Sequence, residues 1–354
     1  MDGGATPILG LGAATPVGRT AWASAAAVRA GVCGFAQHPF MVDTAGEPMR
    51  VAFAPWLPIG LQGADRMAAL LLPAMQEALA PLGGSAQALR LGVALALPPS
   101  RPGRPPDLAD ALLQAIGEDL PDLRPRRIAR IECGHAAGHL ALANARSDLA
   151  AGALDALLLA AVDSYLAPET LEWVEACDQL HGGGPLNNAW GFVPGEGAGA
   201  LLLGSPELVH RLGLTPLGDV ASVGIGMESC RIKTDTVCIG QGLTQAFRGA
   251  LAGLGPGEVV HDVFCDLNGE PYRADEFGFA ALRTGKQFRA ASDFVAPADC
   301  WGDVGAGGTA LHGVLAVAAL RKGYAKGPVA MVWGSSESGE RGALLLRGAP
   351  AQRA

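Results

Sequence analysis

Apolar residues along this chain gather in short runs without strict alternation: Ile8 to Leu11, Leu91 to Leu97, Ala156 to Val162 and Ala198 to Leu203. Each run is closed by Gly, Pro or Ser, and apolar neighbours on both sides predict strands buried on both faces. Between them the period changes. Met67, Leu70, Leu71, Met75 and Leu79 recur at helical spacing, which predicts a helix over Ala64 to Leu82 with one apolar face. Strands alternating with helices predict an α/β fold. Pro98 to Pro106 contains five prolines and one glycine, so it predicts a surface loop inserted between elements, not a domain boundary.

The pattern also repeats. Cys133-Gly-His135, a Gly/Ala-rich helix and a strand recur as Trp301-Gly-Asp303, a second Gly/Ala-rich helix and the strand Val329 to Trp333. Each copy then closes similarly, with Gly199-Ala-Leu-Leu-Leu203 matching Gly342-Ala-Leu-Leu-Leu346. The repetition predicts two halves of like topology, 1–208 and 209–354, dividing near Leu208 to Leu214.

Composition narrows the classes. With 354 residues, 49% of them apolar and 17% charged, the chain has ample material for a buried core. A net charge of -8, 5% aromatics and no run of Lys or Arg argue against a nucleic-acid groove. Arg126-Arg127 reads as a solvated face. The start lacks the regions of a signal peptide and no apolar run is long enough to span a bilayer, so the expectation is a cytoplasmic protein with no membrane partner. The seven cysteines, 33, 133, 177, 230, 238, 265 and 300, form no C-x-x-C pair. They indicate neither a disulfide framework nor a zinc site, and most are expected to be small buried hydrophobes.

The stretch from Ile131 to Gly199 carries the strongest signal: Ile-Glu-Cys-Gly-His-Ala-Ala-Gly, a small-residue helix, the strand from Ala156 to Ser164, then Gly191-Phe-Val-Pro-Gly-Glu-Gly-Ala-Gly199. This order resembles the β-ketoacyl-acyl-carrier-protein synthases of the thiolase superfamily. Ile8-Leu-Gly-Leu-Gly-Ala-Ala-Thr-Pro-Val-Gly18 is similar to that family's first strand and following turn. The resemblance implies a thiolase-like fold, with two related halves in a layered αβαβα arrangement. It also implies no cofactor.

What it implies about chemistry is unusual. Such enzymes use a nucleophilic cysteine at a helix start and two histidines that stabilise the enolate and the thioester oxyanion. Aligned without gaps, Gly138, Gly152 and Asp155 match the family, and His135 falls where the cysteine belongs. The Asn-Ala-His-Gly motif is matched by Asn268-Gly-Glu270-Pro271, putting Glu270 at the first histidine. The Gly-His motif is matched by Gly302-Asp303 through a one-residue deletion, putting Asp303 at the second. The family's lysine corresponds to about Ala298, and its Phe-Gly-Phe-Gly-Gly loop to Ser335-Ser-Glu-Ser-Gly339. A carboxylate repels an enolate unless protonated. Cys133 remains as the alternative nucleophile, although using it breaks the Gly138 and Gly152 matches.

Each residue also has a plainer reading. His135 can be a helix-start histidine with a satisfied hydrogen bond, Asp303 a helix cap, and Glu270 the partner of Arg273 in an ion pair. His139 is expected to pack against its own helix, and His181 to lie in a loop over the entrance. Two functions follow. One is a non-condensing pseudoenzyme or adaptor that binds a protein partner or an acyl-like ligand. The segments Asp266 to Glu270 and Gly302 to Ala306 resemble proteins associated with bacterial type VI secretion effector clusters, so the partner is a secretion effector or an acyl carrier protein. The other is an acyltransferase or thioester hydrolase in which His135 is oriented by Glu270 and Asp303; the same three residues could instead hold a divalent metal. The resemblance further implies a homodimer paired through a buried strand at Arg127 to Cys133, and one cavity shared by His135, Glu270 and Asp303.

Overall fold

The computed structural model describes residues 5–234 and 236–349. In chain order, β1 (Thr6–Ala14) and α1 (Ala21–Arg29) precede a hairpin of β2 (Phe35–Val42) and β3 (Pro48–Ala52). Then follow α2 (Gly63–Leu79), β4 (Leu91–Ala96), α3 (Leu108–Asp119), β5 (Arg127–Ile131), α4 (Ala137–Ala150), β6 (Ala156–Ser164), α5 (Pro168–Ala176) and β7 (Glu196–Gly204). Beyond α6 (Pro206–Leu212) come β8 (Gly218–Met227), α7 (Gln241–Leu251), β9 (Asp262–Cys265), α8 (Pro271–Thr284) and β10 (Phe294–Val295). The described chain closes with α9 (Ala298–Trp301), α10 (Gly308–Lys322), β11 (Val329–Ser335) and β12 (Glu340–Gly348).

Ten strands form one sheet in the order β10-β9-β11-β12-β8-β1-β7-β6-β4-β5. Read inward from its two edges, the order is the same twice: β5-β4-β6-β7-β1 and β10-β9-β11-β12-β8. Directions agree as well. In each set the first three strands are parallel and the last two pairings antiparallel. The sets meet through a short antiparallel pairing of β1 and β8, from Thr6↔Val220 to Ile8↔Gly218.

The doubly buried runs are strands because each face has its own helix layer. On β6, Leu157, Leu159 and Ala161 enter a central core with α4 and α10, whereas Leu158, Ala160 and Val162 enter an outer core with α2 and α3. The second set does the same: Val332, Leu344 and Leu346 face the central core, and Met331, Trp333 and Leu345 pack on α7 and α8. The result is five layers, αβαβα. Gly10 and Gly12 of β1 let α2 approach so closely that a Cβ there would lie 1.9 Å and 1.8 Å from the carbonyls of Ala78 and Ala74. Gly224 and Gly226 of β8 do this for α7, at 1.9 Å and 2.0 Å from the carbonyls of Ala246 and Gly242. No described helix is long and apolar enough to cross a membrane.

Three expectations need correction. The Pro98 to Pro106 loop is not simply a surface loop: its Arg101 side chain is 4% exposed and pairs with Asp163. Only three cysteines, Cys238, Cys265 and Cys300, are buried; Cys33 is exposed and the others are intermediate, because most lie in turns outside the three cores. The strand expected over Arg127 to Cys133 is shorter, ending at Ile131, and among the described residues of the single chain it is the sheet's edge with β4 as its one neighbour.

Candidate functional site

His135 sits in the turn between β5 and α4, and Asp303 in the turn between α9 and α10, equivalent points of the two repeats. Glu270 immediately precedes α8. All three are buried, and they come together where the two halves meet. His135 Nε2 lies 2.8 Å from Asp303 Oδ1 and 3.1 Å from Oδ2. Glu270 does not touch His135. It reaches Asp303 through Asn268, whose Nδ2 donates to Glu270 Oε2 at 3.0 Å and to Asp303 Oδ2 at 2.6 Å.

The centre of the cluster is Arg273, on the first turn of α8. Its Nε donates to Glu270 Oε2 at 3.0 Å, and its Nη1 donates to Asp266 Oδ2 at 3.0 Å and to the Ser335 carbonyl at 2.7 Å. The Glu270–Arg273 ion pair anticipated from sequence is therefore present. Gln179 Nε2 closes the far side, donating to Glu270 Oε1 at 2.7 Å and to Glu337 Oε1 at 3.0 Å. Arg101 pairs with Asp163 at 2.5 Å and lies over the Tyr165 ring, 4.0 Å from its centroid. Ser336 Oγ accepts the Ala136 N–H at 2.9 Å, so the segment from Ser335 to Gly339 holds the His135 turn.

Charge decides the protonation states. Burial would raise the Asp303 carboxyl, but His135, Arg273 and the Gly305 N–H together hold it well below the usual carboxylate range. Burial pulls the His135 imidazole down, and the Asp303 charge more than offsets this, so its pKa lies above the ordinary histidine value. Nε2–H therefore donates to Asp303. The Arg273 Nη2 atom 3.4 Å from His135 Nε2 is then a second donor nearby and not a hydrogen-bond partner. Arg273 stays charged: burial opposes this, and Asp266, Glu270 and Asp303 outweigh it.

Asp303 also accepts the Gly305 N–H at 2.8 Å, an i to i+2 contact in the turn that leads to α10; α10 has no side-chain cap, so Asp303 is not the helix cap expected from sequence. Gly305 has φ +47°, and a Cβ there would lie 2.0 Å from Asp163 Oδ2. Gly305→Ala should therefore lose at least roughly 1–3 kcal/mol from left-handed backbone strain, before counting the clash with Asp163. A thermal unfolding midpoint equal to that of the parent would contradict this.

The remaining space is small. A cavity of about 10 Å³ is lined by His135, Cys265, Asp266, Asn268, Asp303 and His312 among others, room for one water at most; Glu270, expected to share it, is not in its lining because its carboxylate is turned to Arg273, Asn268 and Gln179. Asp266 Oδ1 is buried without a hydrogen-bond partner. His135, Glu270 and Asp303 do not form a compact ligand set; among the described residues the group with metal-ligand spacing is Glu228, Cys238 and Glu276. Cys133 lies beyond the end of β5, half-buried, and burial pushes its thiol up to about 12, which leaves no thiolate at neutral pH. Ala298 lines the cavity. His139 is fully buried in α4, bonded to Thr309 Oγ1 at 2.8 Å. His181 lies in the loop between α5 and β7, its N–H donating to the Phe192 carbonyl.

Sequence reasoning missed Arg101, Asp163, Gln179, Asp266 and His312 as parts of the site. Asp266 lay within a motif, whereas Asp163 and Arg101 lay in segments read only as a strand and a loop. The others come from segments with no chemical pattern, and their placement depends on the folded layers.

No protein-family model and no curated protein matches the chain. Solved structures do. One, a type II polyketide synthase acyl-carrier protein in complex with its ketosynthase bound to the hexaketide, superposes with TM-score 0.78 at 17% identity, covering 98% of this chain and 99% of that one. The ketosynthase from module 6 of the bacillaene synthase of Bacillus subtilis 168 gives 0.78 at 16% identity, over 98% of this chain and 72% of that one. The ishigamide ketosynthase/chain length factor gives 0.77 at 18%, over 98% and 99%. At these identities the likeness concerns architecture, and the chain has the thiolase-like fold of the ketosynthases.

Proposed function

We propose that this protein is a non-condensing ketosynthase-like protein, a pseudoenzyme or adaptor that keeps the scaffold to bind a protein partner or an acyl-like ligand. The observation that carries this reading is the closed ion network around Arg273. Where a thioester and an enolate would need a thiolate and neutral or cationic donors, the chain places Asp266, Glu270 and Asp303, paired internally, with room for no acyl group. The complex of a ketosynthase with an acyl-carrier protein among the similar structures supports a carrier protein as partner. The segments Asp266 to Glu270 and Gly302 to Ala306 support a type VI secretion effector instead.

The purified protein should release no carbon dioxide from malonyl-carrier protein above a denatured control. Release at a rate that survives repurification would overturn the reading.

The exposed edge at β5 supports a homodimer. Ile128 is 45% exposed there, and a groove of about 370 Å³ lined by Arg127, Ala129 and Ile131 runs between β5 and α4. An unpaired strand edge invites pairing with another strand. Light scattering at micromolar concentration should give twice the chain mass, and Ile128→Lys should halve it; a monomer before substitution would exclude the dimer.

The 2.8 Å contact of His135 with Asp303 favours a second reading, a thioester hydrolase or acyltransferase. Hydrolysis of an acyl thioester that disappears in His135→Ala would move the assignment there.

A further inference from the structure

Two cysteines from opposite halves meet near the start of the Asp303 turn. Cys33 lies in the segment after α1 and is exposed, whereas Cys300 lies within α9, three residues before Asp303, and is buried. The Gly34 N–H donates to the Cys300 carbonyl at 2.7 Å. Standard peptide geometry then places Cα of Cys33 roughly 3.4 Å from that oxygen, and so no more than about 6 Å from Cα of Cys300. Disulfides span Cα separations of about 4.4–6.8 Å.

The contact is held firmly. A Cβ on Gly34 would lie 2.9 Å from Val17 Cγ1 and 3.2 Å from the Cys300 carbonyl oxygen, so the backbone is packed from both sides. The thiols also sense each other: burial first, then Asp299 and Cys33, raise the Cys300 pKa. Access is unequal. Solvent reaches Cys33 and hardly reaches Cys300, which is 6% exposed.

We propose that Cys33 and Cys300 are a reversible modification site, a dithiol that a hydroperoxide converts to a disulfide. The exposed Cys33 sulfur attacks the peroxide O–O bond, giving Cys33 sulfenic acid and, from hydrogen peroxide, water. The Cys300 sulfur then displaces hydroxide from the sulfenic sulfur; the S–S bond forms, and the thiol proton leaves with the hydroxide as a second water. Both sulfurs are oxidised, one peroxide is reduced, and an external thiol reverses the step by exchange. The bond would tie the segment after α1 to the short helix that leads into Asp303.

The test uses the full chain, treated with hydrogen peroxide, blocked with iodoacetamide and digested without reductant. A linked peptide pair containing Cys33 and Cys300, two hydrogens lighter than the separate peptides and lost on reduction with dithiothreitol, is expected. In Cys300→Ser, Cys33 should instead accumulate as a sulfenic acid trapped by dimedone; in Cys33→Ser, no disulfide should involve Cys300. Cys33 passing to sulfinic or sulfonic acid in the parent without a linked peptide, or bridging to another cysteine, would overturn the proposal.

Discussion

Replacing Arg273 with methionine should destabilise the protein by about 3–5 kcal/mol, the cost of breaking a buried ion pair from one side. Against a total of about 5–15 kcal/mol for a typical fold, this is a large fraction of the stability. The guanidinium is 3% exposed and bonds Glu270 and Asp266 at 3.0 Å each. Without it, those carboxylates stay buried with Asn268, Gln179 and backbone N–H groups as donors but no cation of their own. His135 cannot take over, because its proton is already committed to Asp303. Urea unfolding of Arg273→Met against the parent measures the loss. Adding Glu270→Gln, which removes one of the stranded charges, should recover part of it. A change within about 0.5 kcal/mol, the range of an ordinary surface substitution, would show that the network does not hold the two halves together.

Acidification should weaken the fold strongly below pH 6.5. Burial lowers His139 to about 4 and His312, beside His139 and His135, to about 3. Each is neutral in the folded chain and gains a proton on unfolding, so the stabilisation is present above the unfolded value of 6.5 and is lost as pH falls towards the folded values. Between pH 6.5 and 5 each should contribute a loss of about 2 kcal/mol. His135 acts in the other direction and in another window. Its folded pKa is raised, so its contribution is complete below 6.5 and declines only as pH rises through the folded value. Asp303 is held low and weakens only in stronger acid. Urea unfolding at pH 7 and pH 5 reads the effect, and His312→Gln should remove about half of the difference. An unchanged midpoint at pH 5 would mean that these imidazoles already carry protons in the fold.

The sequence by itself determined the class of fold and its doubling. Short apolar runs without alternation require helix layers on both sides, and the Gly-Ala-Leu-Leu-Leu copies fall on β7 and β12, which are equivalent strands. The signal is legible because strand and helix periods are local and follow from side-chain geometry. A further mark of the duplication was overlooked: Gly10-x-Gly12 and Gly224-x-Gly226 receive α2 and α7 alike, but glycine spacing reveals a close approach only once the opposing helix is known. The meeting of His135 with Asp303 was also legible, because equivalent turns of a doubled fold face each other. Only the tertiary structure decided what that meeting amounts to. Arg273 stands three residues from Glu270, yet its other partners, Asp266 and Ser335, come from separate strand ends; Arg101 enters from a proline-rich loop that reads as solvent-exposed. Whether such charges form a working dyad or a sealed ion network depends on distance, burial and room for a substrate. These quantities arise from the packing of segments far apart in the chain, where no local period carries the information.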